Sequence, residues 1–317
     1  MRFRDKIKKP QRPVVTYEIL PPREKDGTLN SYAEKISSLL SQTHIDAINI
    51  PEVREEEGRG KRPVMNTSRA EPRHFGRLLQ DMVGVESIVN RVVVHDELVN
   101  QIKWFRETHE KYEIENMIIV GGESSKIKYI GPTVNQILEL VAFKYNNNGG
   151  DILCGGITLP TRLNESKNLI RKSGNGAEFF TTQVLCDSEN IVKMMNKYQE
   201  RCDALNTFPR RILLSFAPIS SEKNIQFLKW LGVEISKDTE KYLFGRPGSM
   251  TERSLDVAIE VFNKIIDNIN EYNLKIPIGL NVEHIMSYNF QSSVEMLQEL
   301  AKIYRNYCLK SKSINPF

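Results

Sequence analysis

Val14-Val15-Thr16-Tyr17-Glu18-Ile19-Leu20-Pro21-Pro22 runs a β-prone stretch into a double proline. Val, Thr, Tyr, Ile and Leu favour a buried strand. Pro21 and Pro22 have no amide proton for a sheet ladder, so the strand must stop there. Glu18 therefore stands near the strand's carboxyl end. In a parallel α/β sheet or barrel, active sites are built at that end. The competing reading is a salt-bridged structural carboxylate, since carboxylates are seldom buried unless paired.

From this strand outward, the chain alternates strand and helix. Strands are predicted over 14–20, 46–50, 88–94, 116–120, 151–157, 178–183, 211–216 and 276–280. Helices follow over 30–42, 71–83, 96–112, 134–143, 164–173, 188–202, 220–230 and 254–270, with a last one over 292–307. Pro72 suits a first helical turn, and Asp96 is placed to cap the third helix. Eight strand–helix units within 317 residues predict a single (β/α)8 barrel domain spanning 1–317, with 1–12 as a basic extension. A doubly wound sheet is the alternative, but no GxGxxG follows the first strand.

Composition excludes several classes. The net charge of +4 is small, and no basic stripe is interleaved with aromatics, which argues against nucleic acid. No apolar run approaches the roughly 20 residues of a membrane helix. The basic start lacks the apolar stretch of a secretory signal. Cys154, Cys186, Cys202 and Cys308 form no CxxC pair, as expected of reduced thiols in a cytoplasmic protein without structural zinc.

The strand ends carry the candidate site. They hold Glu18, Asn49 and Glu52, then Arg91 and His95, Glu123, Gln183, and finally Asn281, Glu283 and His284. His95 and His284 lie far apart in sequence, so no metal site is expected. Gly121-Gly122 is either a close-approach point for a ligand or a tight turn. The charged loop at 53–62 is either a mobile lid or a solvated surface. Glu165, Asn168, Arg171 and Lys172 share one polar helical face.

These residues carry a family resemblance. TYEILPPREKDG, from Thr16 to Gly27, is similar to the opening SFEFFPP of the methylenetetrahydrofolate reductases. IIVGGE, ending at Glu123, resembles that family's ILALRGD. GNGAEFFTTQVLCD, from Gly174 to Asp187, resembles DAGADFIITQLFFD. LLSFAPISSEKNIQFLKWLGVEI, from Leu213 to Ile235, resembles IPGIMPITSYKQLKRFAELCGVEIP. Order and spacing hold from about Val14 to Glu299, and the family is a (β/α)8 barrel.

The resemblance implies a protein that binds reduced folate and reduces 5,10-methylenetetrahydrofolate to 5-methyltetrahydrofolate by hydride transfer from FAD. It implies that Glu18 is the catalytic acid and holds the pterin. Gln183, Phe227, Asn281 and Glu283 become folate contacts. Asn49, Arg91, Gly122, Glu123, Tyr129, Asn168, Arg171 and Lys172 become FAD contacts. The family's TYGAG turn is NIPEV here, its RGD arginine is Gly121, and its HFYTLNR strand is IGLNVEHI. Two readings therefore stay open. One is a reductase fed by an electron-donor partner protein. The other is a flavin-free barrel that carries 5-methyltetrahydrofolate, or serves a methyl-transfer partner. A homo-oligomer is compatible with both.

Overall fold

The computed structural model describes residues 1–54, 62–63, 68–122, 127–245 and 247–314. Eight parallel strands close into a barrel in strict sequence order. They are β1 (Val15–Ile19), β2 (Ala47–Ile50), β3 (Glu86–Val92), β4 (Asn116–Val120), β5 (Leu153–Thr158), β6 (Phe179–Val184), β7 (Arg211–Phe216) and β8 (Ile278–His284). Helices α1 (Phe3–Ile7), α2 (Leu29–Leu40), α3 (Pro72–Val83), α4 (Leu98–Glu110), α5 (Val134–Leu140) and α6 (Glu165–Gly174) come first. Then come α7 (Glu189–Ala204), α8 (Glu222–Trp230), α9 (Lys237–Leu243), α10 (Met250–Glu271) and α11 (Phe290–Ile314). The expected (β/α)8 barrel is the observed fold. No described helix is long and apolar enough to cross a membrane.

Strand alternation divides the core into two layers. Outward residues such as Tyr17, Ile48, Met117, Phe180 and Leu280 pack under the helices. Inward residues Val14, Ala47, Ile88, Ile118, Leu153, Phe179 and Leu213 fill the lower barrel. Residues 1–12 close the floor: Phe3 and Ile7 of α1 join this inner layer, with the Phe3 ring edge-on to Phe179 at 5.8 Å. Gly155 makes room, since a Cβ there would meet the Phe179 ring at 2.5 Å. Arg211, 1% exposed, ties the segment down. Its guanidinium donates to the Lys9 carbonyl at 2.6 Å and to the carbonyl of Ile278.

Several details differ from expectation. The last strand runs through His284 instead of stopping near 280, because Val282 pairs with Phe216 and His284 pairs with Ile19. That places Asn281 and Glu283 inside a strand. Helix α9 was not anticipated. Asp96 does not cap α4, whose N-cap is Glu97. The Asp96 carboxylate instead accepts from Arg91 at 2.6 Å.

Candidate functional site at the barrel mouth

Register places the polar side chains in rows across neighbouring strands. Asn49 pairs with Glu18, and Glu18 pairs with Glu283, so β2, β1 and β8 present one row at the carboxyl end. One step below, Thr16 pairs with Asn281 and Asn281 with Ser215. The upper row is the mouth, and the lower row is its support.

The lower row is a hydrogen-bond chain. Thr16 Oγ1 donates to Asn281 Oδ1 at 2.8 Å, and Asn281 Nδ2 donates to Ser215 Oγ at 3.0 Å. Ser215 Oγ lies 3.2 Å from Thr181 Oγ1. All four residues are buried. Their polar groups satisfy one another, as an apolar barrel interior demands.

The upper row is less comfortable. Asn49 Nδ2 donates to Glu18 Oε2 at 2.5 Å. Glu18 and Glu283 stand side by side, half-buried. Burial pushes the Glu18 carboxyl well above the usual carboxylate range, and the charge of Glu283 adds to the shift. Hydrogen bonds from Asn281 and Asn49 oppose it. Burial likewise pushes Glu283 up to about 7, opposed by a hydrogen bond from Ser215. Two adjacent carboxyls that resist ionising together hold a proton near neutral pH.

The structure brings together only part of the expected set. Glu18, Glu283 and Asn49 meet at the mouth, with Asn281 beneath them. Gln183 points elsewhere. A register shift between Thr181 and Val184 bulges β6. Gln183 Nε2 then donates to the Leu231 carbonyl at 3.0 Å, and the residue lines a cavity of about 380 Å3 with Trp230, Cys186 and Asn190. Phe227 is buried and stacked on Trp230 at 5.9 Å, with the Arg62 guanidinium over both rings. Ser215 and Asn90 of the inner face were missed. Each is a polar residue interrupting an apolar strand, and that was the available signal.

The residues expected to hold FAD are largely committed to the protein itself. Arg91 points outward, contrary to expectation. Its guanidinium donates to Gln101 at 2.9 Å, to Glu52 at 2.8 Å and to Asp96, and stacks on Trp104 of α4. Lys172 is also turned inward, its ammonium on the Ile157 carbonyl at 2.6 Å and near Glu165 at 3.5 Å. Asn168 donates to Glu165, and the exposed Arg171 donates to Asn168. Gly122 does not face open space, because the Tyr129 ring lies 2.1 Å from where its Cβ would be. Tyr129 in turn packs edge-on to His95. Glu123 and the loop at 55–61 lie outside the described residues. Of the two α6 cations expected at the diphosphate, Lys172 is spent on a carbonyl and a carboxylate, and Arg171 is exposed beside Asn168, so this face gives FAD little support.

A metal site does not form among the described residues. Alternation along β8 sends Glu283 into the mouth and His284 outward, where it packs on Phe290 at 5.1 Å.

Among solved structures, the chain is similar to a protein from Clostridium thermocellum described as binding two copies of 5-methyl-5,6,7,8-tetrahydrofolic acid. The TM-score is 0.77 at 19% identity, covering 95% of this chain and 99% of that one. The two proteins share the fold. A GH113 β-1,4-mannanase aligns with a TM-score of 0.49 at 10% identity, over 90% of this chain and 98% of that one. No protein-family model matches the chain, and no curated protein matches it.

Proposed function

We propose that this barrel binds a reduced folate at its mouth, as a flavin-free relative of the methylenetetrahydrofolate reductases. One observation carries the reading: Glu18, Glu283 and Asn49 form a row of acceptors at the carboxyl end of the barrel. A pteridine ring offers the complementary ring N–H and amino groups. The Clostridium thermocellum protein of the same fold, which binds 5-methyltetrahydrofolate, supports the ligand class. The commitment of Arg91 and Lys172 to internal partners favours a binder or methyl carrier over a flavoprotein. The reductase is the second reading. Glu18 favours it, because a carboxyl that burial pushes well above the usual carboxylate range is suited to serve as an acid.

Two measurements on the purified protein test this. Titration calorimetry with 5-methyltetrahydrofolate is expected to give saturable binding. A visible spectrum after soaking with FAD and gel filtration is expected to be colourless. Absence of folate binding sinks the proposal, and about one retained flavin per chain moves the function to the reductase.

A further inference from the structure

Among the described residues, the row at the mouth presents acceptors without a counter-cation. Among the described residues, the groups bearing on Glu18 and Glu283 are each other, Asn49, Asn281 and Ser215, with no lysine or arginine. Paired carboxylates in a half-buried site normally recruit a cation. Two neighbouring amides add to the demand. Asn49 is 2% exposed and uses its nitrogen on Glu18, which leaves its Oδ1 without a hydrogen-bond partner. Asn90, 6% exposed, shares the inner face of β3 with Ile88, and its Oδ1 also lacks a partner. Buried acceptors left unmade cost free energy, so each marks a place where a donor belongs.

We propose that this acceptor surface grips the amidine edge of an aminopyrimidine ring with both carboxylates, and therefore selects 2,4-diamino rings over 2-amino-4-oxo rings. The choice of a fused pyrimidine rests on the folate reading above; the preference between the two rings rests on the paired carboxyls and the two unpartnered amide oxygens, which call for donors. A 4-oxo group withdraws electron density from the ring and keeps N1 weakly basic. A 4-amino group donates density, so N1 accepts a proton and the edge becomes an amidinium with two parallel N–H donors. The proton comes from the carboxyl pair. One O–H bond of the Glu18–Glu283 pair breaks, one N1–H bond forms, and the pair gains one negative charge as the ring gains one positive charge. Charge-assisted bonds of this kind are the strong ones.

The test is calorimetric titration of the full chain at pH 7 with 2,4-diamino-6,7-dimethylpteridine, with its 2-amino-4-oxo counterpart, and with 5-methyltetrahydrofolate. The diamino ring is expected to bind at least about tenfold tighter than the oxo ring, with the ultraviolet spectrum of its protonated form when bound. In Glu283→Gln the ratio is expected to fall to about twofold or less. Equal affinities, a tighter oxo ring, or a bound diamino ring with its neutral spectrum overturns the inference. The spectrum is read on the unaltered protein, so it holds even if a variant fails to fold. Binding of 5-methyltetrahydrofolate without diamino preference removes this inference and leaves the folate reading. Diamino preference without 5-methyltetrahydrofolate binding does the reverse.

Discussion

Glu283→Gln is expected to stabilise the protein at alkaline pH and to do little at acid pH. The unfolded chain ionises this carboxyl near 4.5, whereas the fold holds the proton until about 7. Between those values the folded state binds more protons than the unfolded one, so stability falls as pH rises through that window. The penalty is complete above about 7 and absent below about 4.5. A shift from 4.5 to about 7 corresponds to about 3 kcal/mol, and solvent at the mouth screens part of it, leaving roughly 1–3 kcal/mol. Gln keeps the size and the contact with Ser215 while removing the charge. Relief of Glu18 acts in the same direction. At about 2 °C per kcal/mol for a chain of this size, Tm at pH 8 should rise by roughly 2–6 °C. Differential scanning calorimetry at pH 5 and pH 8 reads this directly. The decisive quantity is the difference between the two pH values. An equal Tm change at both, or a lower Tm at pH 8, refutes the reasoning, because either means the carboxyl ionises in the fold as it does in water.

Glu18→Gln should leave the Tm near that of the unaltered protein at pH 5 and weaken 5-methyltetrahydrofolate binding about 10–100-fold, read by calorimetry. Arg91→Ala should cost about 1–3 kcal/mol, seen in urea unfolding, because Glu52 and Asp96 lose a buried partner while Arg54 stays on both; folate affinity should stay within about twofold. Arg211→Leu should destabilise by about 2–4 kcal/mol and expose residues 1–12 to proteolysis, since it strips donors from the Lys9 and Ile278 carbonyls. Gly122→Ala should cost about 1–3 kcal/mol, measured by the same unfolding, because the Tyr129 ring must move.

The barrel was legible because its signals are local. Val14 to Leu20 declares a strand by composition, Pro21 ends it, and the same rhythm repeats to the chain's end. Strand eight was misjudged for a non-local reason. Asn281, Glu283 and His284 are poor strand formers by themselves, and pairing with Phe216 and Ile19 on the flanking strands holds them extended. The packing of residues 1–12 into the barrel floor was invisible for a similar reason. Phe3 and Ile7 lie among five basic residues, and only the closed floor shows them a hydrophobic partner.

The site was half legible, and parity explains which half. A strand-end residue reaches the mouth only if alternation turns it inward, so Glu18 and Glu283 arrive while Arg91 and His284 do not. Sequence position identifies all four as strand-end residues; register separates them. The β6 bulge adds one further turn and carries Gln183 toward Leu231. What the described residues then lack at the mouth is a cationic donor. Thr16, Asn281 and Ser215 bond to one another below, while the row above keeps two half-buried carboxyls side by side and a buried Asn49 Oδ1 without a hydrogen-bond partner. A lysine or arginine paired with that row would stabilise it, and among the described residues none is. The instability is therefore what a ligand relieves, and the same charges that lower Tm at pH 8 supply the affinity.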